Sequence, residues 1–328
     1  MGSLTGRTSP AGTIRMGKDS RIEWTTHTFN PWWGCVKVSP ACKHCYAEAW
    51  AKRVGAAVWG TKAPRRFFGT QHWAEPLRWN AQALKDGNRP RVFCASMADV
   101  FEDRRELDPW REKLAELIAA TPALDWLLLT KRPAKAVSLA PWGSDWPLNV
   151  WLGTTAENQT WAERRIPALV RTPAKLRFLS CEPVLGPIDL TPWIKALHWV
   201  IAGGESGGRS RPTDPNWFRS LRDQCTEADR PFLFKQWGNW APNGMGGENL
   251  VRQSKKAAGR VLDGGLWDGM PEAPALSSSL RFTNDVTSDI VSHPDCPADR
   301  RGAGEDQSVG STPANMQVQR AVQQSRSK

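Results

Sequence analysis

The sequence predicts an α/β fold, a parallel barrel in preference to a doubly wound sheet, and three observations carry that prediction. Six short apolar runs alternate with helix-like stretches, as expected of parallel strands covered by crossover helices. Each run is followed, always at the same strand end, by a polar or glycine-rich segment; in a barrel those ends meet at one mouth. All nineteen tryptophans lie between Trp24 and Trp267, so the large core is confined to that stretch.

The strand runs are 91–95 (RVFCA), 125–129 (DWLLL), 150–154 (VWLGT), 176–180 (LRFLS), 198–202 (HWVIA) and 231–235 (PFLFK). They are too short and too apolar for amphipathic helices. Between them, Asp108-Pro109 opens a helix by the cap-then-proline rule, and Leu107, Leu114, Leu117 and Ile118 recur at helical spacing. A second helix covers 161–169 and is expected to end around Pro167, which lacks an N–H and crowds the preceding turn. A third opens at Asp214-Pro215 and runs to about Ala228.

The segments after the strands are 96–99 (SMAD), 130–133 (TKRP), 154–158 (TTAEN), 181–183 (CEP), 203–207 (GGESG) and 236–238 (QWG). Singly, each is an ordinary βα turn. With Glu157, Glu182 and Glu205 all placed there, an enzyme is favoured.

Both ends of the chain have another character. Residues 1–20 are rich in Gly, Ser, Thr and Pro, and 271–328 mix Ser, Pro, Asp and Gln with almost no aromatic side chains, so disordered tails are expected around one folded domain, 21–270. The formal charge is +11, and residues 253–328 hold nine basic and nine acidic side chains, leaving 35 against 24 in residues 1–252. A basic excess confined to the folded part favours an anionic partner such as nucleic acid. No apolar run approaches the roughly 20 residues that span a bilayer, and the first residues have no apolar segment of signal-peptide type. A cytoplasmic protein without a membrane partner is expected.

The most informative motif is residues 34–46 (GCVKVSPACKHCY), in which Cys35, Cys42 and Cys45 have the spacing C-x6-C-x2-C. Soft thiolates select zinc, copper(I) or iron–sulfur. Three thiolates leave one coordination position unfilled: an iron–sulfur cluster would keep one iron open for a ligand, while a zinc site would need His27, His44 or a distant cysteine to close it. Disulfides are disfavoured by the odd count of seven cysteines. Residues 202–209 (AGGESGGR) are neither a Walker loop nor a dinucleotide fingerprint. Their glycines admit close approach of a ligand to backbone N–H groups, and Glu205 can hold an amine or a ribose hydroxyl.

The blocks 30–35 (NPWWGC), 42–48 (CKHCYAE), 96–101 (SMADVF), 129–133 (LTKRP), 180–187 (SCEPVLGP), 201–206 (IAGGES), 234–238 (FKQWG) and 259–263 (GRVLD) together resemble the phage Gp37/Gp68, or three-Cys-motif, family, of DUF5131 type. The resemblance covers about residues 20–270 in order. That family is similar to radical S-adenosylmethionine (SAM) enzymes, which implies a partial (β/α) TIM-like barrel of radical SAM type. It also implies a [4Fe–4S] cluster on Cys35, Cys42 and Cys45, with SAM on the open iron near Glu182, Gly203, Gly204 and Glu205. Here the first gap in the motif is six residues where radical SAM enzymes usually have three.

Reductive cleavage of SAM would yield a 5′-deoxyadenosyl radical that abstracts hydrogen from an anionic substrate met by Lys131 and Arg132, nucleic acid in phage DNA modification or repair being one case. Lys131 and Arg132 are expected to bind substrate, and no catalytic residue is assigned. The implied partners are an electron donor and a three-Cys-motif partner protein, in a bacterial or phage-infected host cell. The competing expectation is a zinc- or cluster-stabilised nucleic-acid-binding protein without catalysis, using basic side chains and tryptophans as stacking platforms.

Overall fold

The computed structural model describes residues 20, 22–243 and 249–273. The tails expected at 1–20 and 271–328 lie outside the described residues, except for Ser20 and 271–273.

A short strand absent from the sequence reading, β1 (His27–Phe29), comes first, and the six predicted runs follow as β2 (Arg91–Cys94), β3 (Asp125–Thr130), β4 (Val150–Thr155), β5 (Leu176–Cys181), β6 (Trp199–Gly203) and β7 (Phe232–Gln236). They form one seven-stranded sheet in sequential order with every neighbouring pair parallel. A doubly wound sheet reverses its strand order at a switch point. This sheet has no reversal, and β1 and β7 are its two edges, so it is a partial barrel. β1 is only three residues long, and it is held in register partly by a side chain before it: Thr25 Oγ1 accepts from the Phe93 N–H at 3.1 Å.

Period-two alternation along the strands separates two cores. Phe93, Leu127, Trp151, Phe178, Trp199, Ile201 and Leu233 point to the concave side, where they pack with Trp24. Val92, Trp126, Leu128, Leu152, Leu179, Val200 and Phe234 point to the other side, into a larger cluster with Leu114, Ile166 and Leu221 of the covering helices. The concave layer is largely aromatic, and its rings meet tilted or edge-on: Trp24 and Phe93 are inclined at 51°, and Trp151 and Trp199 centroids are 6.4 Å apart at 85°. Trp126, Trp151 and Trp199 are thus core residues, as their place in the strand runs suggests.

The helices of seven residues or more are α1 (Tyr46–Arg53), α2 (Glu75–Asp86), α3 (Asp108–Ala119), α4 (Pro133–Leu139), α5 (Gln159–Arg171) and α6 (Pro215–Glu227). α6 starts as predicted, with the Asp214 carboxylate accepting from Asn216 N–H at 2.8 Å. α3 differs: Asp108 lies inside the first turn and pairs with Arg111, so it does not cap the helix. α5 corrects the expected end at Pro167, because the helix continues past the proline to Arg171. The carbonyl that Pro167 deprives of a donor is that of Glu163. Glu163 is exposed, so this turn lies on the solvent side of the helix.

Candidate functional site

All six post-strand segments converge on one cavity of about 220 Å³. Its wall includes Asp99 after β2, Lys131 and Arg132 after β3, Thr155 at the end of β4, Glu182 after β5, Gly204 and Glu205 after β6, and Gln236 at the end of β7. Cys35, Cys42 and Cys45 close the mouth. The described residues contain three other cysteines, Cys94, Cys181 and Cys225, and all are buried away from this wall.

The cysteine loop is anchored by three carboxylates from three different strand ends. Asp99 accepts from Arg132 Nη1 at 2.7 Å, and the same nitrogen lies 3.8 Å from Cys35 Sγ, while the other arm of the guanidinium donates to the Val36 carbonyl at 2.8 Å. Glu157 accepts from the Ala41 N–H at 3.2 Å and is itself fixed by Arg165 at 2.9 Å. Glu205 lies 3.2 Å from His44 Nδ1 and accepts from the Arg211 N–H and Nε at 2.8 Å each, while Arg211 also reaches the Pro40 carbonyl at 3.2 Å. Burial raises the Glu205 pKa, and the bonds from Arg211 and His44 outweigh it, so the carboxyl sits below its usual range.

Two glycines are required by close approach. Gly34, with φ +119°, stands just before Cys35, where a Cβ would overlap the Val58 carbonyl. A Cβ on Gly204 would overlap the Trp237 carbonyl.

Burial in this wall pushes the Cys35 thiol up to about 12, with Asp99 raising it further and Arg132 opposing. Burial also raises Cys45, which caps α1, against the lowering effect of the Glu48 and Ala47 N–H groups. Both thiols therefore need a cation to ionise them near neutrality. Among the described residues no three His, Cys, Asp or Glu side chains gather closely enough to hold a single metal ion. Tetrahedral zinc requires sulfurs about 2.3 Å from one point. Three thiols on the wall of one cavity are a soft donor set, the chemistry of an iron–sulfur cluster.

The predicted site residues divide. Cys35, Cys42, Cys45, Glu182, Gly204, Glu205, Lys131 and Arg132 all line the cavity. Gly203 does not, and lies behind the Glu182 side chain. Lys131 extends its ammonium into the cavity against Thr155 Oγ1 at 3.3 Å, and Glu182 pairs with Lys235 at 3.0 Å. His27 and its ring, 4.4 Å from that of Trp79, lie in the core and off the cavity wall.

Asp99, Arg211 and Gln236 were not among the site residues picked from the sequence, and His44 was named there only as a ligand that could close a zinc site. Gln236 is 5% exposed, donates through Nε2 to the Gly204 carbonyl at 2.8 Å, and leaves Oε1 buried without a partner on the cavity wall. Such an orphan acceptor is costly unless a ligand N–H or O–H satisfies it. The rule that picked Glu157, Glu182 and Glu205, a polar residue just past a strand, would also have found Asp99 and Gln236.

No curated protein matches the sequence. Among solved structures, a spore photoproduct lyase double mutant with bound AdoMet and dinucleoside spore photoproduct aligns over 77% of this chain and 81% of that chain, at 11% identity and a TM-score of 0.41, too weak a likeness to bear on function. No helix among the described residues is long and apolar enough to cross a membrane. Residues 19–271, which contain the three-cysteine loop and every strand that frames it, match the family described as protein of unknown function (DUF5131), and the chain belongs to that family.

Proposed function

We propose that this protein is a radical SAM-type enzyme in which Cys35, Cys42 and Cys45 hold three irons of a [4Fe–4S] cluster and SAM occupies the adjoining cavity. One observation carries the proposal: three cysteines, with no fourth among the described residues, line a single cavity at the C-terminal ends of a parallel partial barrel. When bound, the cluster supplies an open iron and the electron that cleaves SAM.

The chain's own groups then have defined tasks. Asp99, Glu157 and Glu205 orient the cysteine loop through Arg132, the Ala41 N–H, and His44 with Arg211. Gln236 Oε1 and Glu182 offer acceptors to the amino and ribose hydroxyl groups of SAM, and Gly204 keeps β6 and the turn after β7 in contact. Lys131 presents a cation to an anionic substrate. The aromatic layer beneath, from Trp24 to Trp199, excludes water from the barrel interior.

Anaerobic reconstitution tests the assignment. About four irons and four sulfides per chain are expected, with a brown chromophore. It should be lost on Cys35→Ala, Cys42→Ala or Cys45→Ala and kept on Cys225→Ala. Dithionite with SAM should then release 5′-deoxyadenosine. One bound zinc without colour would replace this proposal with a zinc-stabilised binding protein.

A further inference from the structure

A second cleft, about 840 Å³, adjoins the cysteine cavity and shares Cys45, Tyr46, Ser96, Lys235 and Gln236 with it. Its wall carries seven Lys or Arg side chains and one carboxylate, Glu48. Glu48 is already neutralised between Lys37 at 2.6 Å and Lys52 at 2.7 Å. Lys43, Arg53 and Arg209 have no carboxylate partner among the described residues, so the cleft has a net positive field. A low-dielectric concavity of one sign concentrates counter-ions of the other.

These three cations, one of which, Arg53, lies over the Trp50 ring at 5.8 Å, are too widely spread to grip one phosphate. Lys43 precedes α1 and Arg53 is its last residue. An eight-residue helix is about 12 Å long at 1.5 Å per residue, and Arg209 stands on a different loop, after β6. At the junction of cleft and cavity, Tyr46 is 59% exposed although its hydroxyl is fixed to the Ser96 carbonyl at 2.9 Å. An aromatic face held rigidly in solvent beside a row of cations is the pairing that single-stranded nucleic acid uses: phosphates along the cations, a base stacked on the ring. The cleft meets the cysteine cavity at Cys45, so a base that enters the cavity must leave its stack, which a single strand does at least cost.

We propose that this cleft binds the backbone of single-stranded nucleic acid and, with Tyr46 as the stacking platform, directs one nucleotide into the cysteine cavity. The delivery step rests on the function proposed above. The binding step does not.

The test is fluorescence anisotropy of the full-length protein with a labelled 15-nucleotide deoxythymidine strand, without SAM or reductant. Binding should weaken between 50 and 200 mM KCl with a log-log slope near −0.7 per phosphate contacted, and dTMP should compete at least about 100-fold more weakly than the strand. Arg53→Glu with Arg209→Glu in one chain should weaken binding about tenfold or more while leaving iron content unchanged. Arg171→Glu, at the exposed end of α5 and off the cleft, should change affinity less than twofold. Absence of strand binding at 50 mM KCl, equal affinity for dTMP, or an unchanged double variant would each overturn the proposal. None of these outcomes depends on SAM cleavage, so the two proposals fail separately.

Discussion

Glu205 follows the paired glycines after β6, where the sequence suggests a direct contact to SAM, yet its oxygens already serve His44 and Arg211. Loop positioning and SAM binding predict different results for one substitution. If Glu205 holds the loop, Glu205→Ala lowers iron retention measured before any SAM is added, because His44 and the Arg211 link to Pro40 lose their anchor. If Glu205 served only SAM, iron would be unchanged and SAM affinity alone would fall. The expected result is loss of more than half the iron by colorimetric assay, with SAM affinity per remaining cluster reduced by less.

Among the elements, α5 bears the clearest structural burden. Glu157 is fully buried and Arg165 is 3% exposed in its side chain, and the pair joins the end of β4, the helix and the cysteine loop. Glu157→Gln keeps an acceptor for the Ala41 N–H but leaves a buried guanidinium uncompensated. The expected cost is about 3–5 kcal/mol in denaturant unfolding. A loss under about 1 kcal/mol would show that Arg165 finds another partner.

What the sequence allows one to read follows the same physics. The six buried runs were legible because both faces of each strand are apolar, which sequence records directly. α5 was legible except for its end, since tolerance of Pro167 depends on the exposure of Glu163, a tertiary fact. β1 was not legible, because its stability comes from Thr25 and from register with β2 and not from its three residues. At the site, the cysteines were legible from spacing. The division of carboxylates between holding the loop and facing the cavity was not, since it depends on partners such as Arg211 and Arg165 that only folding brings near.

At the scale of the whole molecule, acid should destabilise the protein in two stages. Burial lowers the pKa of His72, whose Nε2 donates to the Asn30 carbonyl at 2.9 Å, and of His198, whose Nδ1 accepts from Arg177 N–H at 3.1 Å. A depressed folded-state value means the unfolded chain binds protons first, so their contribution is present above pH 6.5 and is lost as pH falls through the folded values. Glu48, Glu205 and Asp263 are also depressed and act below about pH 4.5; Asp125, raised by burial, opposes them. The melting temperature should therefore fall from pH 7.5 to 5 and fall further below 4.5. A flat profile from 7.5 to 5 would show that the two imidazoles charge without penalty.

The anchoring of the cysteine loop sets a timetable for making the protein. Ala41 meets Glu157 across 116 residues, His44 meets Glu205 across 161, and Pro40 meets Arg211 across 171. During synthesis the three cysteines leave the ribosome early, and their anchors emerge only after most of the barrel has been translated. Until then the thiols belong to an unrestrained segment exposed to stray metals and oxidants. Assembly of the proposed cluster would therefore be a late event, gated by completion of β6 and the loop that carries Arg211, and a nascent chain truncated before that point would hold all three cysteines and still lack the site.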